Sequence, residues 1–325
     1  MGFGPMNTSS NLVGTNILGE QTSGIRNGRI ILRAKDKPGI HNAILKVIQT
    51  AGYNVTNDSG MSIDGYYLIR NEFSAQDGEV SLVEFEKEFR DAVDALRLED
   101  LSIRVIDCEK RKRAVVMVSE ITYCFSELLH HLDEGDLKFD IACVVSNSRN
   151  AEHMAKSRGI DFHYIDAGKK SRDGDAAFEK KKRDAENEIN NLTSQKADFY
   201  ILAKWHRILL PDGPLLSNGM PIMSVHPSLL PAFVGGHAIR DAYQNGVKVA
   251  GATAHLVTKE DKNIDEGPKL VQIMQHVGNL PWEEFEKNVQ FAEREAIYRA
   301  AKIMAEDRCI IYADPSSKTR KTFII

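Results

Sequence analysis

His226 is the residue whose surroundings in this sequence best suit acid–base chemistry. It follows the apolar run at 221–225 and lies beside Pro227, with Pro231 further on, so a rigid turn holds its imidazole. Histidine titrates near neutral pH, which fits a general acid or base. A histidine here could equally cap the end of a strand, and its position alone does not separate these two interpretations.

A carboxylate precedes a glycine turn further along the chain. Asp265 and Glu266 come directly before Gly267, and glycine permits a sharp turn and a close approach of the backbone to a ligand. If the strands leading to His226 and Asp265 are neighbours, the acid would polarise the histidine or position a water molecule. On its own, such a segment is more often only a turn.

The segment 203–211 is a third candidate and contains Trp205, Arg207, Ile208 and Leu209. Its aromatic and aliphatic side chains could belong to a core, which is the commoner fate of such residues. They could also wall a slot for a flat heterocycle whose polar edge is read by backbone groups.

Alternating strands and helices are predicted to position these three segments. The pattern predicts strands at 114–118, 139–145, 162–165, 198–202 and 221–225, and helices at 125–134, 150–157, 175–193 and 282–305. Such alternation favours a parallel sheet with helices on both faces. In that fold, ligands bind beyond the carboxyl ends of the strands, where His226 lies.

The first part of the chain has a different plan. Strands are predicted at 29–34, 54–62, 66–73 and 101–106, and helices at 40–52 and 80–96. Asp64-Gly65 is a strong signal for a hairpin between the second and third strands. The order βαββαβ is the ferredoxin-like plan. The predicted division is a flexible tail at 1–28, this domain at 29–108, a charged linker at 109–113 and the α/β domain at 114–325.

Composition excludes several classes of protein. The formal net charge of −4 over 325 residues argues against a nucleic-acid binder. No apolar run approaches the roughly 18 residues of a membrane span. The four cysteines form no CxxC pair, which is typical of reduced thiols in a cytoplasmic protein.

Four segments together resemble the folate-dependent formyltransferase superfamily: SVHPSLLPAFVG, LAKWHRILLP, GATAHLVT and IDEGP. PAFVG followed by GVKVAGATAHLVT is similar to the formyltetrahydrofolate deformylase branch, which also carries an N-terminal ACT domain of ferredoxin-like plan. The resemblance covers roughly residues 29–325 and implies a Rossmann-like second domain with a mostly parallel sheet. It implies hydrolysis of 10-formyltetrahydrofolate to tetrahydrofolate and formate in one-carbon metabolism, without a metal or a bound prosthetic group.

The resemblance also implies residue roles. His226 matches the family's catalytic histidine and Asp265 its catalytic aspartate. The residues that match positions of the family's folate pocket are Arg207, Ile208, Leu209 and His255.

Ser224 departs from the family, which has an asparagine two residues before the histidine. An asparagine amide there would donate to the oxyanion formed when water attacks the formyl carbon, and losing such a donor costs about a hundredfold to a thousandfold in turnover. Tyr123 stands where the branch usually has histidine. Three functions stay open: hydrolysis with Ser224 supplying part of the oxyanion contact, formyl transfer to a small amine, and a catalytically weakened folate-binding regulator. No glycine-rich phosphate loop follows Ser119, which argues against a phosphoribosyl acceptor.

The ACT resemblance adds two expectations. Such domains bind small amino acids near the turn before the first helix, which points to Asp36, Gly39 and Asn42 as an effector site. They also pair through sheet or helix edges, so a homo-dimer or homo-tetramer is expected.

Overall fold

The computed structural model describes residues 24–25, 27–75, 80–168, 175–259, 264–313 and 320–324. These residues form two compact units, one built from Lys112–Ala305 and the other from the residues up to Arg111 together with those from Glu306 onward. The sequence places the second domain at 114–325, whereas the contacts group the described residues from Glu306 onward with the first unit. The reason is hydrophobic, because Ile310 and Phe323 pack with Ile31 and Leu68.

The first unit has the predicted ferredoxin-like order. Its elements are β1 (Asn27–Lys35), α1 (Ile40–Thr50), β2 (Tyr53–Ile63), β3 (Tyr66–Ala75), α2 (Leu82–Asp94) and β4 (Ser102–Asp107). The four strands form an antiparallel sheet in the order β2-β3-β1-β4. Ile44 from α1 and Phe85 and Phe89 from α2 are buried in the same core as Ile30 and Phe73 of the sheet.

The predicted hairpin between β2 and β3 is confirmed. Asp64 and Gly65 both have positive φ angles, +48° and +78°, which is the backbone of a type I′ turn. The predicted tail at 1–28 falls mostly outside the described residues, and β1 begins at Asn27.

The second unit is an α/β fold around a seven-stranded sheet. Its strands are β5 (Lys112–Val118), β6 (Phe139–Ser146), β7 (Phe162–Tyr164), β8 (Phe199–Leu202), β9 (Ile222–His226), β10 (Val249–Val257) and β11 (Lys269–His276). Its helices are α3 (Tyr123–Asp133), α4 (Glu152–Lys156), α5 (Asp175–Thr193), α6 (Pro214–Ser217), α7 (Ala238–Gln244) and α8 (Trp282–Ala305). The chain closes with β12 (Cys309–Ala313) and β13 (Arg320–Ile324), which pair with each other in the first unit.

The sheet order is β11-β10-β9-β8-β5-β6-β7. The five strands β9, β8, β5, β6 and β7 pair in parallel, whereas β10 and β11 pair antiparallel to their neighbours. The prediction of a mostly parallel sheet is therefore confirmed. The sequence pattern does not predict β11. Its side chains alternate between buried or half-buried and more exposed positions, as expected for an edge strand, and this weakens the apolar signal.

Helix α5 covers one face of this sheet. Ala185 and Ile189 of α5 pack with Tyr200, Leu202 and Ile222. Since side chains alternate along a strand, Ser224 and His226 continue the face begun by Ile222. Within the described residues, no helix is long and apolar enough to cross a membrane.

Candidate active site

Strands β9 and β10 bring three of the predicted site residues to one face of the sheet. Ser224 and His226 are two residues apart on β9 and therefore point the same way. On the antiparallel neighbour, His255 lies directly opposite Ser224, and Thr253 lies opposite His226. Directly opposed residues share a face, so the pairing register places His255 beside the two β9 side chains.

Asp265 lies over this face between the two histidines. Asp265 follows β10, whose last residue Val257 pairs with Ile222 at the start of β9, and it precedes β11. Its Oδ1 is 3.4 Å from Nδ1 of His226 and 3.7 Å from Nε2 of His255. The sequence predicted that Asp265 and His226 would meet if their strands were neighbours, and the structure brings them together.

A short loop closes the other side of the site. The Nε2–H of His226 donates to the Phe233 carbonyl at 3.0 Å, and the backbone N–H of Gly235 is near enough to the Asp265 carboxylate to lower its pKa. Phe233 has a φ of +53°, a left-handed conformation that costs a non-glycine residue free energy and often marks functional sites. The PAFVG motif thus contributes two backbone groups to the site, a role that its sequence alone does not reveal.

The surroundings of Asp265 keep it ionised at neutral pH. Burial alone would raise the pKa of its carboxyl, but the hydrogen bond and charge of His226, the nearby His255 ring and the Gly235 N–H outweigh burial and lower the pKa below its ordinary value. A carboxylate held in this way is able to orient a water molecule or accept its proton.

His255 is a neutral imidazole at neutral pH, because burial lowers the pKa of its ring to about 4. Its Nδ1 lies 3.1 Å from the Leu256 carbonyl, which fixes the proton on that nitrogen. Its Nε2 is buried without a hydrogen-bond partner among the described residues and faces Asp265. The resemblance assigned His255 to folate binding, but its side chain is 0 % exposed and lies behind Asp265.

Ser224 has a half-buried hydroxyl without a hydrogen bond to any described residue. It lies on the same strand and the same face as His226. Its donor is therefore available to a ligand that reaches this face of the sheet.

The segment after β8 is divided between core and surface. Trp205 and Leu209 are buried in the core beneath α5, which answers the open question for these two side chains. Ile208 between them is 66 % exposed. Arg207 donates from Nε to the Gly168 carbonyl at 3.2 Å and so anchors the segment beside β8, the neighbour of β9.

Tyr123 belongs to a second buried cluster that the sequence analysis did not predict. Its hydroxyl donates to one carboxylate oxygen of Glu293, and Lys204 Nζ contacts the other oxygen at 2.6 Å. The Arg294 guanidinium lies over the Tyr123 ring, 5.3 Å from its centre. Burial, followed by the Glu293 charge, raises the pKa of the Tyr123 phenol. No local signal in the sequence links residues 170 positions apart.

The proposed effector residues lie in the first unit, in the turn between β1 and α1. Gly39 has a φ of +82° and precedes the helix, while the Asp36 N–H donates to the Gly65 carbonyl at 2.9 Å. Asn42 is exposed on the first turn of α1. Next to it, His41 bonds both Asp58 and Tyr67 at 2.9 Å.

Comparison with known proteins connects this geometry to a family. The formyl transferase family matches residues 112–301, which is the unit that carries the site. A formyltetrahydrofolate deformylase of Bacillus subtilis is 30 % identical over 289 residues, covering 88 % of this chain and 91 % of that protein.

Solved structures agree with this result. The crystal structure of a formyltetrahydrofolate deformylase from Pseudomonas syringae pv. tomato has a TM-score of 0.81 and 26 % identity, covering 93 % of this chain and 95 % of that one. A glycinamide ribonucleotide transformylase from Symbiobacterium toebii has a TM-score of 0.55 at 28 % identity and covers only 66 % of this chain. The chain therefore belongs to the formyl transferase family and, within it, to the formyltetrahydrofolate deformylases.

Proposed function

We propose that this protein hydrolyses 10-formyltetrahydrofolate to tetrahydrofolate and formate. The observation that carries the proposal is the ionised Asp265 carboxylate flanked by two histidines on one sheet face. The names of the relatives that match nearly the whole chain support hydrolysis over formyl transfer.

Asp265 is the proposed base. Water held by its carboxylate attacks the formyl carbon, the new C–O bond forms, and the water proton passes to Asp265. The Gly235 N–H and the His226 ring steady the carboxylate as the charge moves. His255 acts through Asp265 as a positioning residue, since its buried Nε2 faces the carboxylate.

His226 is the proposed acid. Its two ring nitrogens face oxygen acceptors, the Asp265 carboxylate and the Phe233 carbonyl. On binding, the formyl oxygen takes the place of the Phe233 carbonyl at Nε2–H. When the C–N10 bond breaks and the formyl C=O bond re-forms, the Nε2–H gives its proton to N10 of tetrahydrofolate. Nε2 regains a proton from the formic acid, which leaves as formate, and Asp265 releases the water proton to solvent.

Ser224 and the segment after β8 complete the proposed site. The unpartnered Ser224 hydroxyl donates to the developing oxyanion. Exposed Ile208 packs against the pterin ring, and the backbone of Arg207 and Leu209 reads its polar edge. This sequence of steps uses only side chains and backbone groups of the chain, so we propose no prosthetic group.

The first unit is the proposed regulatory and assembly part. We propose that Asp36, Gly39 and Asn42 bind a small amino acid and that the protein is a cytoplasmic homo-dimer or homo-tetramer. The start of α1 supports this, because Gly39 at the N-cap provides no side-chain cap for the N–H groups of the first turn, although the Ile40 N–H donates to the Lys37 carbonyl at 3.1 Å.

The test is to incubate the pure protein with 10-formyltetrahydrofolate and measure both products, with and without a panel of small amines. Hydrolysis predicts equal amounts of formate and tetrahydrofolate, unaffected by amines. Formylated amine in place of formate would indicate a transferase, and folate binding without either product would indicate a regulator.

A further inference from the structure

Glu186 of α5 is a buried carboxylic acid that the proposed mechanism does not use. The residue is only 4 % exposed, and its Oε1 accepts a hydrogen bond from the Leu210 N–H at 2.7 Å. Acidic residues are rarely buried to this extent unless they are paired. No described residue forms an ion pair with Glu186, so its place needs another explanation.

The turn at Leu210–Gly213 wraps around this carboxyl group. Gly213 donates its N–H to the Leu210 carbonyl at 2.9 Å and closes the turn. A Cβ at Gly213 would lie 2.1 Å from Oε2 of Glu186 and 2.8 Å from Cβ of Leu210, so a larger residue here would force the Glu186 carboxyl to move. Oε2 itself is buried without a hydrogen-bond partner among the described residues. A buried oxygen without a partner costs free energy that a well-packed apolar side chain would avoid.

The same turn continues directly from the segment proposed to hold the pterin ring. Leu209 and Leu210 are buried, whereas Ile208 is exposed. The Glu186 contact is the hydrogen bond that fixes the backbone immediately after this segment. A change in that contact would therefore shift Ile208 without touching His226 or Asp265.

We propose that Glu186 is a positioning residue for folate, holding the Leu210 backbone so that the 207–209 segment keeps the shape that the pterin ring fits. The inference rests on the proposed function. It adds that affinity for folate depends on an acid in α5 that does not contact the substrate.

The charge state of Glu186 gives the contact a pH dependence. Burial raises the pKa of its carboxyl to about 7, against the lowering effects of the Leu210 N–H, Lys182 and Arg183, while Asp212 adds to the rise. Because the folded pKa lies above the unfolded one, the stability that this group contributes is lost as pH rises towards and through 7. Above that pH an ionised Oε2 needs water, and we expect the turn to loosen and KM to rise.

Two variants and a control test the proposal. Glu186→Ala removes the contact with Leu210, whereas Glu186→Gln keeps an acceptor for the Leu210 N–H but does not ionise. The control is Arg183→Ala, which breaks the exposed 3.0 Å ion pair between Arg183 of the same helix and Asp212 of the same turn. We expect Glu186→Ala to raise KM for 10-formyltetrahydrofolate about tenfold, with kcat within about twofold. Glu186→Gln should keep a low KM that no longer rises above pH 7. Arg183→Ala should keep the wild-type KM below pH 7, with the rise in KM displaced to higher pH because the Arg183 charge lowers the pKa of Glu186.

An unchanged KM in folded Glu186→Ala, or a fall in kcat alone, would overturn the inference. If Glu186→Ala does not fold, the inference would instead be overturned by a Glu186→Gln variant whose KM depends on pH as in the wild type. If the wild-type protein releases no formate, the proposed function fails first. Quenching of Trp205 fluorescence by tetrahydrofolate, measured in a Trp282→Phe background, then gives a Kd for each variant. Equal Kd values would reject the positioning role independently.

Discussion

The second unit contains two buried groups of charges that differ in how completely they are satisfied. In the cluster around Glu293, both carboxylate oxygens have donors, Lys204 and Tyr123, and the side chain is 0 % exposed. In the cluster around Asp265, the histidine contacts are long, at 3.4 and 3.7 Å, and the carboxylate is 13 % exposed.

The difference separates a structural cluster from a chemical one. In the Glu293 group, both carboxylate oxygens already accept from protein donors, so little hydrogen-bonding capacity remains for a ligand. The Asp265 group leaves His255 Nε2 and the Ser224 hydroxyl without partners among the described residues, although both lie on a face that is largely closed to solvent. Unsatisfied polar groups are costly in a folded protein and are retained where function needs them.

The largest expected effect is on catalysis. Asp265→Asn keeps the volume of the side chain and removes the charge that orients water and accepts its proton, so kcat should fall about a hundredfold to ten-thousandfold. Thermal stability and folate affinity should change little. Steady-state kinetics and thermal melts check this, and near-normal turnover in a folded variant would remove Asp265 from the mechanism.

The opposite result is expected at Glu293. Glu293→Ala leaves the Lys204 charge buried without its partner and should cost about 3–5 kcal/mol in the free energy of unfolding. Because this cluster is not part of the proposed chemistry, kcat per folded molecule should stay within a few-fold of wild type.

Glu295→Ala is the matched control for Glu293→Ala. It lies on the same helix and breaks only the exposed ion pair with Arg299, so we expect at most about 1 kcal/mol of change. A large loss of kcat in folded Glu293→Ala would contradict the separation of the two clusters.

His255 should make the protein sensitive to acid. Its folded pKa, about 4, lies below the ordinary value of 6.5, so the unfolded chain takes up a proton first as pH falls. The stability that neutral His255 contributes is present above the ordinary pKa and is lost as pH falls from there through about 4. The loss should be at most roughly 3 kcal/mol. Thermal melts against pH should show a shallower acid slope in His255→Gln, and an identical slope would show that this histidine is not the titrating group.

The smallest effect is expected at Ser224. Ser224→Asn supplies an amide donor and should raise turnover about tenfold or more if Ser224 occupies the oxyanion position in a working hydrolase. If the enzyme transfers the formyl group to an amine, asparagine should increase hydrolysis and slow transfer. A wild-type rate that Ser224→Asn lowers would show that serine is the better residue in this site.

The fold was largely predictable because its signals are local. Apolar runs of strand length, helical spacing in α5 and the Asp64-Gly65 turn each depend on neighbours in the sequence. The edge strand β11 was missed because Leu270 is the only buried residue among its eight. The resemblance to deformylases is confirmed by relatives that cover most of the chain.

The site was predictable in its residues and much less so in its contacts. A turn ending in Gly267 pointed to Asp265, but its contact with His226 depends on how β9 and β10 pair. The face on which His255 lies depends on the register with Ser224, which no local pattern reveals. The bond between Glu186 and Leu210 likewise joins elements that only the folded sheet brings together.

The most direct test of the hydrolytic mechanism is turnover in water labelled with oxygen-18, followed by mass spectrometry of the formate. Attack of an Asp265-held water on the formyl carbon predicts formate with one labelled oxygen, released in step with tetrahydrofolate and lost in Asp265→Asn. Unlabelled formate, or tetrahydrofolate formed without formate, would contradict the mechanism.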